Sequence, residues 1–147
     1  MNTAPQIPFD AERFAITLAA AMPDAVVYAD ADGRIRYWNS GAEAIFGFTA
    51  AEAIGQMLDI IVPVTLRQRH WDGYEKTMRT GETRYGGGDL LAVPAIRKDG
   101  TRISTEFTIV PFRDEAGKMV GIAAIMRDVT KRFEEMRALR KAASAAP

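Results

Sequence analysis

One imidazole is available to this chain of 147 residues. It belongs to His70, within Arg67-Gln68-Arg69-His70-Trp71-Asp72-Gly73-Tyr74, in a stretch whose spacing predicts an amphipathic helix. Helical turns counted from His70 reach Leu66 behind it and Gly73 and Thr77 ahead, an apolar or small face that would turn the imidazole inward. Gly73 costs about 1 kcal/mol against alanine inside a helix, unless something must approach that backbone closely. A planar ligand beside the helix, its iron held by His70, accounts for both residues. A core histidine beside a tolerated glycine accounts for them equally.

Other chemistries are thinly supplied. The sequence has no cysteine, which removes disulfides, thiolate metal sites, thiol nucleophiles and covalent flavin–thiol chemistry. One histidine cannot build a multi-histidine zinc site, and no nucleophile elbow is present to pair with it. Gly86-Gly87-Gly88 lacks the lysine–serine sequel of a phosphate loop and precedes a strand, so it reads as a connecting loop. The expectation is a protein with no enzymatic activity of its own.

Composition sets the frame. The chain is 48% hydrophobic and 26% charged, with nineteen basic and nineteen acidic residues, which suits a globular domain with a core of its own. Balanced charge gives no reason to expect nucleic acid or a membrane surface as partner. No apolar run reaches membrane-spanning length, and Asp10 and Glu12 before the stretch Phe14 to Met22 make a poor signal peptide. A cytoplasmic location is expected.

The elements that must position His70 follow from local signals. Asp10 caps a helix running to about Met22, stopped by Pro23-Asp24. Two short strands, Ala25 to Ala29 and Arg34 to Trp38, flank the turn Asp30-Ala31-Asp32-Gly33. Asn39 or Ser40 caps a helix ended by Gly47, and Thr49 caps another ended by Gly55. Pro63 leads into the His70 helix, which closes near Thr80-Gly81. Three strands follow, about Asp89 to Lys98, Thr101 to Arg113 and Met119 to Arg127, joined by Asp99-Gly100 and Asp114 to Gly117 turns. Pro94 places the first of these at a sheet edge. Asp128-Val129-Thr130, with Thr130 as cap, opens a charged helix to about Ala142.

The expected architecture is α+β: a five-stranded antiparallel sheet with short helices and one longer helix on one face, flanked by terminal helices. Three regions are expected: a lead-in and helix over 1–22, a sheet domain over 23–128, and a C-terminal helix and tail over 129–147. Ile103, Phe107 and Ile109 should face inward, and the small Ala123 and Ala124 should leave room beside His70.

This order resembles a PAS domain. The matching stretches are Asp32-Gly33-Arg34-Ile35 with Trp38-Asn39, Ala44 to Phe48, Glu52 to Gly55, Arg97 to Thr101, and Arg127-Asp128-Val129-Thr130. Within that family the His70 region is similar to the haem-binding sensors of the FixL type, whose axial histidine follows an arginine in the corresponding helix. The resemblance implies a sensory domain holding b-type haem through His70, to detect a diatomic gas or redox state. It implies pocket roles for Phe107, Ile109, Ile122 and Ala124, beside the Gly73 already noted, and a propionate contact for Lys76; Arg79 and Arg84 near the helix end either join that contact or form a solvated helix end. Where those sensors carry an oxygen-binding arginine, this chain has Leu91, or Leu90 in a shifted register, so the distal side lacks a donor.

Two alternatives stand beside haem. One is a haem-free interaction and dimerisation module; the other is a flavin-binding redox sensor holding FAD near Trp38 and Asn39. In each case the terminal helices would relay the signal. Val129, Phe133, Met136 and Leu139 form a partial apolar stripe, expected to pair with Phe14, Ile16 and Leu18 in a homodimer. Output would pass to a separate effector polypeptide.

Overall fold

The computed structural model describes residue 4 and residues 6–82 and 91–145, with the backbone alone of Leu91. Gly86-Gly87-Gly88, Arg84, Asp89 and Leu90 lie outside the described residues.

Asp10 accepts from the Arg13 amide and starts α1, Ala11–Ala21. Strand β1, Ala25–Asp30, turns at Gly33 into β2, Ile35–Trp38. Asn39 caps α2, Ser40–Phe46, which Gly47 closes at φ 83°. Thr49 and Glu52 form a reciprocal capping box on α3, Ala50–Ala53. Two 3-10 turns, Leu58–Ile61 and Val64–Leu66, lead into α4, Arg67–Thr80, which carries His70. Strands β3, Leu91–Ile96, β4, Arg102–Arg113, and β5, Met119–Asp128, precede α5, Thr130–Ala145.

The five strands form one antiparallel sheet in the order β2-β1-β5-β4-β3. Pro94 does sit on an edge strand, opposite Ser104, where its missing amide costs no ladder bond.

Register assigns the faces. Val27, Ala124 and Ile109 lie side by side across three strands, as do Ala25, Met126 and Phe107. Directly opposed residues share a face, so these form the inner face. The helices α2 and α3 roof it with Ala42, Phe46 and Ala53. Ala123 corrects the expectation made for it. It neighbours Ala124 on the strand and therefore points to the outer face, level with Tyr28 and Val110. Only Ala124 can make room on the His70 side.

Candidate functional site

Burial varies along the inner face. Along β4, Ile103 and Thr105 are buried, Phe107 and Ile109 half-buried, and Pro111 exposed. Ala124, beside Ile109, is also half-buried, whereas Ile122 is buried. Register thus places Phe107, Ile109, Ile122 and Ala124 on one surface, and Leu91 stands opposite Phe107 in the ladder.

Helix α4 is fastened to the first 3-10 turn and to the sheet. The Trp71 indole donates to Asp59 Oδ1 at 2.7 Å, and Tyr74 Oη donates to the Asp30 carbonyl at 2.5 Å. Burial and the carboxylate of Asp30 push the Tyr74 hydroxyl well above its ordinary range, so it remains a donor. At the far end Arg113 Nη2 donates to the Gly81 carbonyl at 2.9 Å, and Gly81 closes the helix at φ 73°.

These fastenings set the rotation of α4. Arg67, His70, Trp71, Tyr74, Thr77 and Met78 are half-buried, while Gly73, Lys76 and Arg79 are exposed. Gly73 departs from the expected inward position. A methyl group there would meet nothing within 4 Å among the described residues, so no close approach of the protein to that backbone explains the glycine. The aromatic pair three residues apart turns the helix by its polar tips, which counting apolar positions overlooks. Sequence reasoning missed Trp71, Tyr74 and Asp59; the Trp-x-x-Tyr pair was the available signal.

His70 faces inward, its ring 4.9 Å from Trp71 and 5.9 Å from Tyr74. Its Nδ1 is buried with no hydrogen-bond partner among the described residues. Burial lowers its pKa below the ordinary 6.5, with the Asp59 carboxylate partly opposing. The imidazole is therefore neutral near pH 7, with an unused ring nitrogen, the state in which histidine binds a metal.

Trp38 and Asn39, the residues considered for flavin, are buried and committed to structure. Trp38 Nε1 donates to the Phe48 carbonyl at 3.0 Å. Asn39 Oδ1 accepts from the amides of Val26 and Ala42, both at 2.8 Å.

The sheet order, the helical roof and the long α4 correspond to a known family. A family model described as the PAS fold matches residues 19–134. The chain belongs to the PAS fold family. Among solved structures, the PAS domain of a Colwellia psychrerythraea protein superposes with a TM-score of 0.72 at 26% identity, covering 83% of this chain and 99% of that one.

Two curated relatives also match this chain. An uncharacterised protein of Azorhizobium caulinodans is 37% identical over 82% of this chain. Sensor protein FixL of Bradyrhizobium diazoefficiens is 32% identical over 75% of it. The matches span 16% and 21% of those proteins' own lengths. Among the described residues no helix is long and apolar enough to cross a membrane.

Proposed function

We propose that this PAS sensory domain takes b-type haem, with His70 as the residue that would hold its iron, and reports a diatomic gas or redox state. The carrying observation is the neutral, inward imidazole whose buried Nδ1 has no partner. That nitrogen is free either for iron or for the hydrogen bond that fixes the tautomer of an iron-bound ring. Among the described residues no three His, Cys, Asp or Glu side chains converge on a metal site; His70 would hold the haem iron by itself. When bound, haem supplies an iron that responds to gases and to redox state.

This chain's residues would do the rest. Phe107, Ile109, Ile122 and Ala124 offer an apolar surface with no hydrogen-bond donor in their side chains. Lys76 and Arg79, exposed on α4, suit carboxylates of a ligand reaching solvent. The FixL relative supports a sensor role. We extend the proposal to a non-enzymatic cytoplasmic homodimer that acts on a separate effector polypeptide, without nucleic acid or membrane.

A second reading, a haem-free interaction module, draws on α1, where Phe14, Ile16 and Leu18 are 53%, 69% and 50% exposed. The visible spectrum of the purified chain separates the readings. A Soret band supports haem and flavin bands support FAD. A colourless chain that added haem leaves unchanged supports the interaction module.

A further inference from the structure

The first strand starts where the last one ends: Ala25 of β1 pairs with Met126 of β5. The helix leading into β1 and the helix leaving β5 therefore meet the sheet at one place. Three consecutive residues are fitted to that place. Asn39 Nδ2 donates to the carbonyls of Ala19 (2.9 Å), Met22 (3.3 Å) and Asp24 (3.0 Å), gathering the end of α1. Ser40 Oγ donates to the Ala20 carbonyl at 2.8 Å. Gly41 is buried against the Pro23 and Asp24 carbonyls, and a methyl group there would overlap that backbone.

Asp24 then reaches across. Its carboxylate takes a two-pronged bond from Arg127, Nε to Oδ1 at 3.1 Å and Nη2 to Oδ2 at 3.0 Å. This fork geometry fixes orientation as well as proximity. Immediately after Arg127, the chain is fastened again. Asp128 Oδ1 accepts from the Thr130 amide, Thr130 Oγ1 accepts from the Ser104 amide, and the Val129 amide donates to the Ser104 carbonyl. An Arg132–Glu106 pair holds the first turn of α5 to β4.

We propose that Asp24 and Arg127, seated by Asn39-Ser40-Gly41, form a joint that couples the last turn of α1 to the first turn of α5. Displacing either helix at this end shifts the seating of the other. Coupling of this kind acts equally in both directions. The joint uses none of the residues proposed to hold haem, so it does not depend on that reading.

Amide hydrogen exchange on the full chain tests it. Asp24→Asn should speed exchange across residues 130–134, and Arg127→Gln across residues 18–22, each about two- to fivefold, the scale of an exposed ion pair. The doubly exchanged Asp24→Arg, Arg127→Asp chain should restore protection on both sides. Gly41→Ala, which forces the Asp24 backbone outward, should speed exchange at 130–134 without touching any charge. Acceleration confined to the mutated side, or spread evenly to the Asp30–Gly33 turn, overturns the proposal. So does unchanged exchange in both single variants. In the unmodified chain, 1 M sodium chloride should speed exchange at 18–22 through screening alone; insensitivity there counts against the joint.

Discussion

The indole of Trp71 lies over Gly33, so closely that a methyl group at Gly33 would overlap its ring. Gly33 sits at φ 85° in the turn between β1 and β2, where only glycine avoids backbone strain. With the Trp71–Asp59 bond, this fixes the turn of α4 that carries His70. Trp71→Phe keeps an aromatic ring but leaves Asp59 without its indole donor, at a cost of about 1.5 kcal/mol. Gly33→Ala adds overlap and strain, roughly 2 kcal/mol. Because both loosen one contact, urea midpoints should show the double variant to be less destabilised than the two singles combined.

Asn39 holds more of the fold than any cap would require. Asn39→Ala strips the buried amides of Val26 and Ala42 of their acceptor and releases the end of α1. A loss of about 3 kcal/mol is expected from two unsatisfied donors and a missing N-cap. Urea denaturation followed by circular dichroism measures it. A loss under about 1 kcal/mol would contradict this account of Asn39.

His70 should mark the stability of the ligand-free chain with pH. Its folded-state pKa lies below the ordinary 6.5 because burial disfavours the imidazolium. The unfolded chain therefore binds the proton first. Stability is full above pH 6.5 and falls as pH drops from there toward the folded-state pKa. In a His70→Gln variant this decline should disappear. The single imidazole also gives one histidine resonance by NMR, and its midpoint should fall below 6.5 in the folded chain.

The terminal helices leave apolar side chains uncovered. Neither α1 nor α5 has a fully buried residue, and Phe133, Met136 and Leu139 of α5 are 45%, 48% and 64% exposed. If the chain pairs through them, light scattering should show a dimer that weakens when the chain stops at Thr130. Phe14→Glu with Leu18→Glu should remove roughly 3 kcal/mol, more than a hundredfold in the dissociation constant. An unmodified chain that stays monomeric at every concentration rules out this interface.

Local chemistry was legible; long-range orientation was not. Asn39, Thr49, Gly47 and the turn at Asp99-Gly100 announce element ends because their preferences act within four residues. Pro94 announces an edge because it lacks one donor. The rotation of α4 depends instead on Trp71 reaching Asp59 and Tyr74 reaching Asp30, across 12 and 44 residues. No periodicity within the helix encodes that, so Gly73 was expected inside and stands outside. Thr130 shows the same limit. Expected as a cap, it uses its hydroxyl to accept from Ser104 on β4 and to bond Asp128 at 2.5 Å. The pairing of Asn39 with Ala19, Met22 and Asp24 is likewise visible only once α1 is in place.

Haem titration of the chain and of His70→Ala tests the central claim most directly. The unmodified chain should develop a sharp Soret band that saturates at one haem per chain. His70→Ala should keep its far-ultraviolet circular dichroism, since no hydrogen bond of the described fold runs through that ring, and should lose tight haem binding. Equal affinity and identical spectra for the two chains would contradict His70 as the iron ligand.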